Sequence, residues 1–222
     1  MGNRVFDAVL CDLDGVIRFY DLTEVTRLER AAGLAEGITA EIAYAPERDL
    51  PLLLGQISRA QWATSIADAL ADRIPAPQAD ELAAVFAHAP FRADQDAVEL
   101  LREVRGRMPV VLVTNATAWL DEDLALLGLT DLADHVVNSS RVGIAKPDLE
   151  IYRIAAERAG VPAERCLFVD DTQANIDAAR AAGMTAVLYR DLQIFAKGWH
   201  RRLNRSGRRW PASHVTGTDV SS

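Results

Sequence analysis

The chain has 222 residues, of which half are hydrophobic, a quarter charged and 6% aromatic, and its 24 Lys/Arg against 32 Asp/Glu give a formal net charge of −8. Such a composition excludes a fibrous or disordered chain, and the length suits one compact domain with a smaller unit appended, needing neither disulfides nor a structural metal. No apolar stretch approaches the ~18 residues that span a bilayer, and the acidic balance argues against nucleic acid as the main partner.

In chain order, residues 4–11 are a short β-favouring run that ends on the polar Asp12-Leu13-Asp14-Gly15. It reads as a buried strand. The two cysteines of the chain, Cys11 and Cys166, lie in apolar runs. That usage excludes an oxidised scaffold, and without a secretory apolar segment the expected compartment is the cytoplasm. Residues 22–32, 59–71 and 78–87 show helical periodicity with no strand pattern among them, a helical insertion after the first strand. Beyond it, strand-like runs at 109–114, 135–139, 166–171 and 185–189 alternate with helical segments at 94–107, 117–127, 147–159 and 172–182. Gly106, Gly128, Gly160 and Gly183 stand where those helices should stop. Strands alternating with helices imply βαβ units, and therefore an α/β fold with a Rossmann-like parallel sheet in a three-layer α/β/α sandwich. The expected division is a core of residues 1–20 and 91–190, a helical cap of residues 21–90, and a C-terminal tail of residues 191–222. The tail carries six Lys/Arg against two Asp/Glu, has no clear period and reads as mobile.

Ligands of a parallel sheet bind beyond the carboxyl ends of its strands. The polar residues expected there are Asp12 and Asp14, Thr114 and Asn115, and Asp170 and Asp171. Lys146 stands in Ile144-Ala-Lys-Pro-Asp, a loop that should place Pro147 in the first turn of the next helix. Converging carboxylates repel, by several kcal/mol for a pair ~4 Å apart at an effective dielectric of ~20. A hard divalent cation with oxygen ligands, Mg²⁺ above all, offsets that repulsion. The lysine suits a phosphoryl oxygen, and the threonine hydroxyl with backbone amides would complete an anion cradle. Aspartate, metal, lysine and hydroxyl together suit attack on phosphorus.

Asp12-Leu-Asp14-Gly15-Val16, Val113-Thr114-Asn115, Lys146-Pro147 and Val169-Asp170-Asp171 with Asn175, in this order, resemble the four motifs of the haloacid dehalogenase superfamily. The insertion resembles that superfamily's helical cap of the C1 type, and the likeness spans about residues 4–190. Lys146-Pro-Asp-Leu-Glu-Ile-Tyr, Asp170-Asp-Thr-Gln-Ala-Asn and Gly55-Gln-Ile-Ser-Arg-Ala-Gln-Trp are similar to the phosphatase domain of soluble epoxide hydrolase. The resemblance implies Asp12 as nucleophile and Asp14 as general acid and base. It implies Mg²⁺ held by Asp12, the Asp14 carbonyl and Asp171, with Asp170 assisting. Thr114, Lys146 and a donor of Asn115 would hold the phosphoryl group, and Asn175 would brace the carboxylate loop. Dehalogenating members usually carry an aromatic residue two positions after the nucleophile and phosphonate-cleaving members an alanine, so Asp14 implies phosphate esters.

The expected function is therefore Mg²⁺-dependent hydrolysis of a small phosphorylated metabolite through an aspartyl-phosphate. The alternatives are a phosphomutase of the β-phosphoglucomutase type, a dehalogenase, or a phosphate-binding regulatory module with little turnover. No membrane partner is expected, and the oligomeric state, monomer or dimer, is left open. Arg18, just past the nucleophile loop, is either a contact for a distal anionic group of the substrate or a surface arginine. Arg48 and Arg59 carry the same two readings, and His88, Trp62 and Trp119 read as packing residues.

Overall fold

The computed structural model describes residues 6–190, so the start of the first expected strand and the whole basic tail lie outside the described residues. Five parallel strands form the central sheet: β1 (Ala8–Cys11), β4 (Val110–Thr114), β5 (His135–Asn138), β6 (Cys166–Asp170) and β7 (Thr185–Leu188). Their spatial order is β5-β4-β1-β6-β7. Side chains alternate across a pleated sheet, and here the alternation feeds two cores. On one face Val9, Cys11, Val110, Leu112, Leu167 and Val169 pack with Val98 and Leu101 of α6 (Gln95–Arg105) and Leu120 and Leu124 of α7 (Leu120–Leu126). On the other, Ala8, Leu10, Val111, Val113 and Phe168 pack with Ile151 and Tyr152 of α9 (Leu149–Ala159) and Ile176 of α10 (Gln173–Ala181). Each fully buried Leu, Val, Ile or Phe contributes about 1.5–3 kcal/mol, which is why these strands read as unbroken apolar runs.

Between β1 and β4 the chain makes a small antiparallel pair, β2 (Arg18–Tyr20) with β3 (Phe91–Ala93), in the register Arg18↔Ala93, Phe19↔Arg92 and Tyr20↔Phe91. Every regular element between them is a helix: α1 (Thr23–Ala31), α2 (Ile38–Ala43), α3 (Pro46–Leu53), α4 (Arg59–Ala71) and α5 (Ala76–Ala87). These helices bury a third cluster that includes Leu52, Trp62, Ile66, Leu70, Leu82 and Phe86. Helix α4 starts where its capping box dictates, with Ser58 Oγ accepting from the Gln61 N–H at 3.2 Å and Gln61 Oε1 accepting from the Ser58 N–H at 2.8 Å.

The expected sheet strands and the longer helices stand within a few residues of their positions. Elements that the sequence pattern does not show include the β2–β3 pair, α2, α3 and α8 (Ser139–Val142). A three-residue strand whose partner lies over 70 positions away leaves no hairpin signal. Helix α3 contains Pro51, which interrupts a helical pattern although Pro46 opens it. One detail is corrected. Pro147 lies ahead of helix α9, which Asp148 caps by accepting from the Glu150 N–H at 2.9 Å, because a side-chain acceptor at the N-cap satisfies a free amide and proline cannot. Gly106 ends α6 at φ −63°, in ordinary right-handed backbone, whereas Gly128, Gly160 and Gly183 all have positive φ.

Candidate active site

The strand order brings three chain segments to one edge. β1 lies between β4 and β6, so Thr114 at the end of β4, Asp12 just past β1 and Asp170 at the end of β6 emerge side by side. This is also where the connections diverge to opposite sides of the sheet, the usual position of a binding crevice in such folds. Asp12 continues the ladder through its N–H to the Val169 carbonyl at 2.8 Å, and its Oδ1 accepts from the Leu13 N–H at 2.8 Å. Its side chain is thereby fixed before any ligand arrives.

Lys146 is the hub. Its Nζ lies 2.7 Å from Asp12 Oδ1 and 2.7 Å from Asp170 Oδ2, and all three side chains are buried. Burial pushes the Asp12 carboxyl up from its ordinary value, the Lys146 ammonium opposes that, and the nearby Asp170 adds to it. For Lys146 burial works downward, but the two carboxylates outweigh it and hold the ammonium above its ordinary value. Asp170 is held further by the chain: it also accepts from the Thr172 N–H at 2.8 Å and from Asn175 Nδ2 at 3.0 and 3.1 Å. Asn175 thus contacts the carboxylate loop directly.

Asn115 acts on the same lysine from the other side. Its Oδ1 accepts from the Lys146 N–H at 2.7 Å and its Nδ2 donates to the Lys146 carbonyl at 2.9 Å. That pair uses the side-chain oxygen and one of the two Nδ2 hydrogens, so Asn115 fixes the backbone of Lys146 while it lines the cavity. Thr114 is fully buried, and its hydroxyl has no hydrogen-bond partner among the described residues. An orphaned buried hydroxyl costs about 1–3 kcal/mol unless something arrives to satisfy it.

Oxygen atoms of Asp12, Asp170 and Asp171 lie within 4.8 Å of one another, a donor set of hard oxygens suited to Mg²⁺. Asp171 is more exposed than the other two, and burial still raises its carboxyl. Gly15 makes room for it. The Gly15 backbone has φ +74°, and a Cβ there would fall 2.0 Å from Asp171 Oδ2.

A cavity of about 730 Å³ opens over these groups, and Asp12, Asp14, Lys146 and Asp171 all reach it. The helical insertion supplies its aromatic outer wall, including Tyr44, Trp62 and Phe86, whose rings meet edge-on or tilted at centroid distances of 5.7 Å. Asp49 of α3 also faces the cavity, and burial raises its carboxyl to about 6. Arg59 stacks on Trp119, with 4.3 Å from guanidinium carbon to ring centroid, and both line the cavity. His88 lines it as well, whereas Arg48 turns to Glu47 and the Ser65 carbonyl.

Arg18 is neither exposed nor free. It is 3% exposed, with Nε 2.6 Å from Asp14 Oδ1, Nη2 2.8 Å from Asp14 Oδ2 and Nη1 2.7 Å from Asp123 Oδ2. The surface-arginine reading is therefore wrong, and a contact with a distal substrate anion would compete with two carboxylates already in place. The sequence does not single out Asp123, Asp49 or Tyr44. For Asp123 the only trace in the sequence is the acidic first turn of α7, Asp121-Glu122-Asp123, which reads equally well as solvated surface.

The chain is similar to several known proteins. A protein-family model for haloacid dehalogenase-like hydrolases matches residues 6–183. The chain is 31% identical over 197 residues to Phosphatase MT3486 of Mycobacterium tuberculosis, covering 82% of this chain and 86% of that protein. It is 25% identical over 206 residues to bifunctional epoxide hydrolase 2 of Sus scrofa, covering 83% of this chain and 36% of that longer protein. In fold it resembles a HAD family enzyme of Bacteroides thetaiotaomicron crystallised with magnesium and inorganic phosphate, with TM-score 0.65, 19% identity, and coverage of 86% of this chain and 98% of that one.

Proposed function

The chain belongs to the haloacid dehalogenase-like hydrolase family, and we propose that it is a Mg²⁺-dependent phosphatase that hydrolyses a small phosphorylated metabolite through an aspartyl-phosphate. One observation carries the reading: Lys146 joins Asp12 and Asp170 at 2.7 Å each, at the same sheet edge as the unpartnered Thr114 hydroxyl and under a cavity that can admit the rest of a metabolite. A phosphoryl group seated there meets a fixed carboxylate, an ammonium and a hydroxyl donor.

In the first step an Asp12 oxygen bonds to phosphorus while the bond from phosphorus to the leaving oxygen breaks. Asp14 delivers a proton to that oxygen. In the second step Asp14 takes a proton from water, the water oxygen bonds to phosphorus, and the bond to Asp12 breaks, restoring both carboxyls. Lys146, the Thr114 hydroxyl and the Asn115 amide hold the phosphoryl oxygens. Asp12, the Asp14 carbonyl and Asp171 would hold Mg²⁺, with Asp170 and Asn175 bracing the loop; the ion supplies charge neutralisation at the transferring group. The magnesium and phosphate bound by the Bacteroides enzyme support this reading. The five-helix insertion, residues 21–90, acts as a cap that closes the cavity against water and whose aromatic wall selects the leaving group. The cytoplasm is the compartment proposed for this chemistry.

The test is phosphate release by the purified protein across a panel of phosphomonoesters. Release that disappears with a chelator and returns with Mg²⁺ is expected. No free phosphate from any member, or a phosphosugar isomerised without release, overturns the reading. The metal assignment has its own consequence at Gly15. In Gly15→Ala the new methyl displaces the Asp171 carboxylate and occupies a left-handed backbone position that L-residues resist by about 1–2 kcal/mol. The Mg²⁺ concentration for half-maximal activity should rise at least about tenfold. An unchanged Mg²⁺ titration would remove Asp171 from the metal site.

A further inference from the structure

Asp14 has a proton to move, and a carboxyl that moves a proton to a chosen atom has to be aimed. An aspartate on a six-residue turn has two free side-chain torsions, and the Asp14 carboxyl is still 35% exposed in the cavity. Something must hold it. The Arg18 fork takes both of its oxygens, at 2.6 and 2.8 Å, in the bidentate geometry that is the most directional carboxylate contact available to a protein. Arg18 is itself pinned. Its third nitrogen donates to Asp123 on the core helix α7, 105 residues away in sequence, at 2.7 Å. Its guanidinium carbon lies 5.1 and 5.4 Å from the ring centroids of Tyr20 and Phe91 on the β2–β3 pair. The backbone reinforces the turn, since the Gly15 N–H donates to the Arg18 carbonyl at 3.0 Å and the Arg18 N–H to the Leu13 carbonyl at 2.8 Å.

We propose that Arg18, anchored by Asp123, is the positioning residue for Asp14: it fixes the direction in which that carboxyl meets the leaving oxygen. The proposal rests on the phosphatase reading and adds to it a residue that touches neither phosphoryl group nor metal. A carboxylate has about four acceptor directions, and the fork uses two, so each Asp14 oxygen keeps one lone pair for proton transfer. Asp123 keeps Arg18 from following its own rotamers, and the two aromatic rings keep water from competing for the guanidinium face.

Leaving groups separate this role from a structural one. p-Nitrophenolate departs with little help from an acid, whereas the alkoxide of a primary alcohol departs only as it is protonated. A misaimed Asp14 therefore slows an alkyl phosphate far more than an aryl phosphate in kcat/KM, which reports the steps through alcohol release. In Arg18→Met, kcat/KM for glycerol 3-phosphate, or for another primary alkyl phosphate that the wild type accepts, should fall at least about 10²-fold. The fall with p-nitrophenyl phosphate should be at least about tenfold smaller. Asp123→Asn keeps the volume and a hydrogen bond but loosens the anchor, and it should show the same selective loss at about tenfold; it decides the matter alone if Arg18→Met does not fold. In an Asp14→Asn background, Arg18→Met should add nothing, since the two act through one carboxyl. Equal losses on both esters, no loss on the alkyl ester, or additive effects with Asp14→Asn would overturn the positioning role. If Asp14→Asn itself shows no leaving-group selectivity, Asp14 is not the acid and the positioning role falls with it, whereas the phosphatase reading falls only if the wild type releases no phosphate from either ester. A selective Asp14→Asn beside an unselective Arg18→Met defeats this inference alone.

Discussion

Asp12→Asn should lower phosphate release by at least about 10⁴-fold while leaving the protein folded, the scale on which loss of a covalent nucleophile acts. The amide has the volume of the carboxylate and keeps an oxygen for the Leu13 N–H at Asp12 Oδ1 and for Lys146. What it lacks is a nucleophilic oxygen and a negative charge. Loss of the charge costs little in stability, because burial already works against the ionised form of Asp12 and Lys146 retains Asp170 as a partner. The melting temperature should therefore move by no more than about 2–4 °C, the equivalent of about 1 kcal/mol in a chain of this size. Phosphate release and a melting curve on one preparation check both halves. Retained activity would reject Asp12 as nucleophile, and a collapsed melting curve would show that its charge is structural.

Lys146→Met is expected to damage both stability and rate. Methionine fills the space but leaves Asp12 and Asp170 facing one another, both buried, without their shared cation. Removing one partner of a buried ion pair costs about 3–5 kcal/mol, much more than the intact pair contributes over an apolar replacement. That corresponds to a loss of about 6–20 °C in melting temperature for a domain of this length. Added Asp170→Asn should recover part of it by removing one of the two stranded carboxylates, whereas a simple packing defect would not respond. The rate should fall by about 10²–10³-fold, as when one preorganised donor to a transferring group is lost. A melting temperature within 2 °C of wild type would contradict the charge balance read here at the strand ends.

These expectations draw on two kinds of information. Asp12, Asp14, Thr114, Lys146, Asp170 and Asp171 were legible because each stands at a local landmark: the polar end of an apolar run, or the loop before a helix. Strand and helix periods are set by contacts between near neighbours, so the α/β alternation is legible for the same reason. Helices α2 and α3 were not, since six and eight residues are too few to display a period and Pro51 interrupts the second.

Side-chain partnership across the fold was hidden in every case where it mattered. Nothing within a few residues of Asn115 says that its amide closes on both backbone groups of Lys146, 31 positions away, and nothing near Arg18 points to Asp123. Asp49 and Tyr44 read as ordinary surface until the insertion folds back over the sheet edge. The sequence by itself determined which carboxylates, hydroxyl and lysine stand at the strand ends, because apolar period and turn chemistry act over a few residues. Only the tertiary structure decided that β1 runs between β4 and β6, that one lysine serves two of those carboxylates, and that an arginine ties Asp14 to a core helix. Such pairings are settled by packing two cores against a single sheet, and no local pattern encodes which distant residues that packing brings within hydrogen-bond reach.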